Sequence, residues 1–160
     1  MRSTGWLLAA AAVMVTPALA RAQAVLDKPH ALLGQGVSLV VERRYAEAEK
    51  PLREALRIDP TLAEGHYNLA VALKNEGRYD EAVAEYHRAL DGFASEPRRA
   101  QALYGIGLAR EARGDKGAWD EYLAFARPLR VEQPAVQIAE YHRDVINGVK
   151  VPGSYQKASR

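Results

Sequence analysis

Cysteine is absent from the 160-residue sequence. Its absence excludes disulfides, thiolate metal sites, thiol nucleophiles and a lipid anchor carried on a cysteine. Phenylalanine and tryptophan occur twice each, so any core has to be built mainly from Ala, Leu, Val and Tyr. Charge of one sign is scarce as well: 22 Lys+Arg face 20 Asp+Glu, and Arg2 and Arg21 alone carry the excess. Without that pair the chain is neutral, and no nucleic-acid partner is expected. Hydrophobic residues at 48% and charged residues at 26% exclude a disordered acidic chain and a polytopic membrane protein. A single domain with a sizeable core remains.

Catalytic motifs are missing too. The four histidines, His30, His66, His87 and His142, are scattered, and none belongs to an HExxH pair. His66 occupies a large-residue slot and is expected to pack, while His142 and Asp144 are two apart on a helix and do not face each other. Gly34-x-Gly36 and Gly105-x-Gly107 resemble half of a dinucleotide fingerprint, but both fall within expected helices with no strand before them. There is no GxSxG. The carboxylate pairs Glu47/Glu49 and Asp80/Glu81 fall at turn-to-helix junctions, where acids favour a helix N-terminus. No enzyme, cofactor or metal site is expected.

Residues 1–24 have the order of an export signal. Arg2 is followed by a ten-residue apolar run from Trp6 to Val15, then Thr16-Pro17, then small residues at Ala18, Ala20, Ala22 and Ala24. The run is shorter than the ~20 residues that cross a bilayer, so cleavage is expected and no membrane span after it. This places the mature chain in the periplasm or outside the cell. At the other end, 148–160 reads as a flexible tail whose only charges are Lys150, Lys157 and Arg160.

Between these ends the chain repeats. A slide of 34 residues brings Gly36 onto Ala70, Leu39 onto Leu73, Tyr45 onto Tyr79, Ala48 onto Ala82, Leu52 onto Tyr86 and Ala55-Leu56 onto Ala89-Leu90. Within each unit the apolar residues are three and four apart, a helical period, on both sides of a turn. Gly77 is placed to end a helix in the left-handed conformation. A third unit aligns Leu103-x2-Ile106-Gly107 with His66-x2-Leu69-Ala70, and its second helix is read as Ala118-x3-Tyr122-x2-Phe125, with one residue missing at the turn. Pro51 falls inside the second helix of repeat one, where a bend is expected. Pro134 to Asn147 reads as a closing helix with Ala135, Ile138, Ala139, His142, Val145 and Ile146 on its apolar side and Gly148 as its cap.

This 34-residue small/large pattern resembles the tetratricopeptide repeat. The resemblance implies an all-α, right-handed α-solenoid of about three helix pairs (29–60, 63–94 and 98–130, together 25–130) plus a capping helix over 131–147. It also implies that the first helix of each pair lines a concave face. The inward positions would then be Leu33, Val37, Val40 and Val41 in repeat one, Tyr67, Asn68, Val71, Lys74 and Asn75 in repeat two, and Tyr104, Leu108 and Glu111 in the third unit. The family's clamp for a C-terminal carboxylate is not reproduced, because Leu33 and Val37 stand where it needs a cation and an amide. Leu33, Val37 and Val41 either open into the groove or pack beneath residues 25–30. Tyr67 and Tyr104, with polar neighbours, fit a recognition surface that grips a protein or peptide partner. The alternative is a structural assembly unit that self-associates or joins an envelope complex through its repeat ends.

Overall fold

The computed structural model describes residues 17–129 and 133–149. It contains α1 (Pro17–Val41), α2 (Tyr45–Ile58), α3 (Ala63–Asn75), α4 (Tyr79–Gly92), α5 (Glu96–Ala112), α6 (Asp120–Leu129) and α7 (Gln133–Ile146), with no strand among the described residues. Consecutive helices pack on one another along the whole chain, which makes the architecture an all-α helical solenoid. The first helices of the pairs also touch, α1 on α3 and α3 on α5, and α5 meets α7. The second helices make no comparable contact with each other. That inequality curves the stack, with α1, α3 and α5 on the inside.

Four helix ends share one device. The N–H of Arg44 reaches the carbonyl of Leu39 (2.8 Å), Arg78 that of Leu73 (2.9 Å), Asp115 that of Arg110 (3.0 Å) and Val149 that of Asp144 (2.8 Å). Each is the long bond of a Schellman motif, which requires a left-handed residue just before the donor. Gly77, Gly114 and Gly148 fill that place at φ between 71 and 81°. In the first turn the place falls to Arg43, at φ 60°. A side chain sits there where the other three turns have glycine.

The core is made by small residues facing large ones. Ala48, Leu52 and Ala55 of α2, Leu69, Ala70 and Leu73 of α3, and Ala82, Tyr86 and Ala89 of α4 are all 0–1% exposed. Pro51 is buried within α2, which runs on through it as a helix from Tyr45 to Ile58. Along the outer helices Arg78 joins Glu49 of the preceding repeat (2.9 Å) and Glu81 (2.6 Å), tying α4 to α2.

The third unit corrects the sequence reading. Trp119, Leu123 and Ala126 are 0–2% exposed and lie 37 residues after Ala82, Tyr86 and Ala89. The same 37 separate Gly77 from Gly114, so no residue is missing at the turn. The framework matching the other two units runs through Trp119; Ala118 and Tyr122 are buried beside it, whereas Phe125 is only half-buried. A size match misses this because a tryptophan stands in an alanine slot. It fits because Gly107 faces it.

Two further expectations change. α1 begins at Pro17, so the small-residue positions from Ala18 to Ala24 are helical and residues 25–30 belong to the same helix as Val37 and Val41. They therefore do not fold back over those side chains. Residues 1–16, which carry the positive start and the apolar run of the expected export signal, and the tail from 150 onward lie outside the described residues. In α7, Ala139 is fully buried and Val136 nearly so, whereas Val145 is 47% exposed and leaves the apolar side.

Candidate functional site

Nine positions on the inner helices form three rows: Leu33, Tyr67 and Tyr104; Val37, Val71 and Leu108; Val40, Lys74 and Glu111. The members of a row are 34 and then 37 residues apart. On each helix the spacing of four and then three puts the side chains on one stripe. All nine are half-buried. Two rows are apolar or aromatic, and the third carries both charges.

The two charges differ in what holds them. Glu111 accepts the indole N–H of Trp119 at 2.8 Å and faces Nδ1 of His142 at 2.7 Å. It is thereby committed to fixing α6 and α7 against α5. Lys74 has no ion-pair or hydrogen-bond partner among the described residues, and burial alone pushes its ammonium below the usual lysine value.

At the Tyr67–Tyr104 end of the face lies a cleft of about 470 Å³. Tyr67, Tyr104 and Tyr122 provide rings, Pro97, Ala100 and Ala135 provide small apolar wall, and Glu96 and Gln101 provide polar groups. The chain brings these together from α3, the first turns of α5, α6 and the start of α7. The rings are braced from behind. Tyr67 meets Tyr86 edge-on at 5.7 Å and Phe93 at 6.1 Å, and Tyr104 meets Trp119 at 5.0 Å and Tyr122 at 5.4 Å. Burial accordingly raises both phenol pKa values. Each ring thus shows one part to the cleft and one to the core, rather than standing free in solvent.

Other expected site residues are placed differently. Asn68 is 6% exposed, and its amide donates to the Glu64 carbonyl at 2.8 Å, so it faces its own helix instead of a partner. Asn75 is exposed, with its amide donating to the Val71 carbonyl at 2.7 Å. Val41 is 76% exposed at the end of α1, beyond the three rows. Leu33, Val71 and Leu108 pack against the core from the inner face, and Val37 completes their stripe. Tyr122, Glu96, Gln101 and Ala135 were not legible as site residues. They come from outside the inner stripes and converge only through packing.

His66 is a satisfied core histidine. Its Nδ1 lies 2.6 Å from Glu85 and its Nε2 3.0 Å from the Pro60 carbonyl. The bond to Glu85 is the leading cause that raises its pKa, against the opposing effect of burial. Among the described residues no three His, Asp or Glu side chains gather as a metal site.

Two family models described as tetratricopeptide repeat match the chain, one over residues 39–106 and the other over residues 7–63. The type IV pilus assembly protein PilF of Pseudomonas aeruginosa is 38% identical over 72 residues. That stretch covers 45% of this chain and 27% of the relative, so the match reaches about a quarter of that protein's length.

Proposed function

The chain belongs to the tetratricopeptide repeat family, and from that premise we propose that it is a non-enzymatic interaction module of the bacterial cell envelope. The partner is a peptide or protein segment held on the inner face. Repeats of this family generally mediate protein–protein interaction, and solenoids do so through their extended concave surfaces. The observation that carries the reading is the cleft, where three half-open or buried tyrosines, already ordered by the core behind them, converge beside one carboxylate and one amide. Rings held in place before binding lose little entropy when a partner arrives. The envelope assignment is supported by the order of residues in 1–24 and by a relative whose name is a pilus assembly protein. None of the described helices is long and apolar enough to cross a membrane. Periplasmic or secreted location follows as part of the same proposal.

A photo-crosslinking residue at Gln101, exposed on the cleft, compared with one at Arg57, exposed on an outer helix, tests the reading in cells. A discrete protein adduct from position 101 and none from position 57 is expected. Equal labelling at both positions, or none at 101, would remove the concave face as the binding surface. The assembly reading rests on exposed apolar side chains in the first unit and after the last helix, Val41 at 76% exposure and Val149 at 53%. A discrete oligomer in light scattering that Val41→Glu dissolves would favour it.

A further inference from the structure

Tyr67 and Lys74 lie on the same stripe of α3, seven residues apart. Seven residues make almost two full turns, so the lysine stands about 10 Å along the helix axis from the tyrosine, on the same side. Val71 lies between them and offers only apolar surface. The face therefore presents an aromatic cleft and, two turns of α3 along from its Tyr67 edge, an ammonium with no partner among the described residues. The neighbouring carboxylate in its row, Glu111, is occupied by Trp119 and His142.

A bound segment has to match that step on one of its own faces. In a β-strand, side chains on one face recur every ~7 Å and then every ~13 Å, and neither equals the spacing. In polyproline II the third residue returns to the same side after about 9 Å, because that helix has three residues per turn and a rise of 3.1 Å. An α-helical ligand would need seven residues between its two groups. A cleft of about 470 Å³ takes a few side chains rather than the flank of a helix, and tyrosine-lined grooves suit the preformed ridges of polyproline II.

We infer that the inner face takes a segment in polyproline II conformation, with a proline or aliphatic side chain in the Tyr67–Tyr104–Tyr122 cleft and an Asp or Glu three residues away on Lys74. This rests on the peptide-groove reading above and adds its register, conformation and charge. Lys74 supplies the only attraction on the inner stripe of α3 that depends on the sign of the ligand's charge. The cleft supplies the anchor.

Selection of a random twelve-residue peptide library on the full chain tests it, repeated on Lys74→Gln and on Gln101→Trp, which fills the cleft mouth. Circular dichroism confirms that both variants keep the parent's helical content. The expected result is enrichment of an apolar residue, proline foremost, with an acid three positions from it. Against Lys74→Gln the acid should vanish from the selected set while the anchor persists. A synthetic peptide of the enriched sequence should bind about tenfold more weakly to that variant, the scale of one charge-assisted contact. Anchor and acid seven apart, a basic residue in place of the acid, or identical selections on the parent and on Lys74→Gln would overturn the inference alone, provided Gln101→Trp abolishes selection. Selection unchanged by Gln101→Trp, or no enrichment on the parent, would overturn the groove reading and this inference with it.

Discussion

Gly107 faces the Trp119 indole so closely that a Cβ at position 107 would come 2.6 Å from the ring. The ring is fully buried and held edge-on by Tyr104 and Tyr122, so it has no room to yield. Gly107→Ala should therefore destabilise by about 1–3 kcal/mol, the cost of overpacking. Gly34, in an outwardly similar Gly-x-Gly, has open space around it. Gly34→Ala should be neutral or stabilise by up to about 1 kcal/mol through helix propensity. Urea midpoints that shift alike for both variants would contradict the packing described.

Arg43 holds a left-handed conformation in the turn position that glycine takes in the other units. Relief of that backbone strain predicts that Arg43→Gly raises stability by about 1 kcal/mol. A melting temperature that falls would show that the Arg43 side chain contributes more than its backbone costs.

Leu73 and Ala82 are both 0% exposed at the α3–α4 contact. Leu73→Ala should cost ~2–5 kcal/mol as a cavity, and Ala82→Leu ~1–3 kcal/mol as a clash. Chemical denaturation of the two variants checks the repeat register directly. Parent-like midpoints in both would place these residues elsewhere.

The two regular hairpins were legible because their framework is a matter of residue size at fixed spacing, and Ala48, Leu52, Ala82 and Tyr86 are all in the core as that spacing implies. Trp119 was not, since a large residue in a small slot looks like a mismatch until the missing side chain of Gly107 is placed opposite it. Arg43 was invisible for a related reason: positive φ announces itself only when glycine occupies it. The inner stripe could be read from helical period alone, yet the cleft could not. Glu96 and Gln101 of α5, Tyr122 of α6 and Ala135 of α7 reach it from three separate helices, and only tertiary packing sets that convergence. Burial of Asn68 illustrates the same limit, because a rotation of one residue around α3 separates the groove from the interior.

His66 is placed between two acceptors, the Glu85 carboxylate and the Pro60 carbonyl, and Arg88 pairs with Glu85 from outside. The folded state holds the imidazole proton more tightly than the unfolded chain does, since its pKa is raised by the Glu85 contact. The associated stability is fully present below the ordinary histidine value of about 6.5 and is lost as pH rises through the raised value. Urea midpoints should therefore fall on going from pH 6 upward through the neutral range in the parent. His66→Gln should show a flatter dependence and lower stability at pH 6. An equal slope in both proteins would assign the pH dependence to other groups.

The aromatic rings of the cleft bear on folding and recognition together, and this sets what their substitution will show. Tyr67 loses contacts with Tyr86 and Phe93 when truncated, and Tyr104 loses those with Trp119 and Tyr122. Each half-buried ring removed should cost about 2 kcal/mol, partly transfer and packing, partly edge-to-face attraction. Tyr67→Ala and Tyr104→Ala should accordingly melt below the parent, and a loss of partner binding in them is not by itself proof of contact. Tyr104→Phe keeps the ring and removes only the hydroxyl, so its stability should stay within about 0.5 kcal/mol of the parent. A partner that reads the phenol will bind Tyr104→Phe more weakly at unchanged melting temperature, whereas one that reads only the ring face will not distinguish it from the parent. Parent-like melting of Tyr104→Ala would mean that the ring stands free of Trp119, and the braced cleft would have to be abandoned.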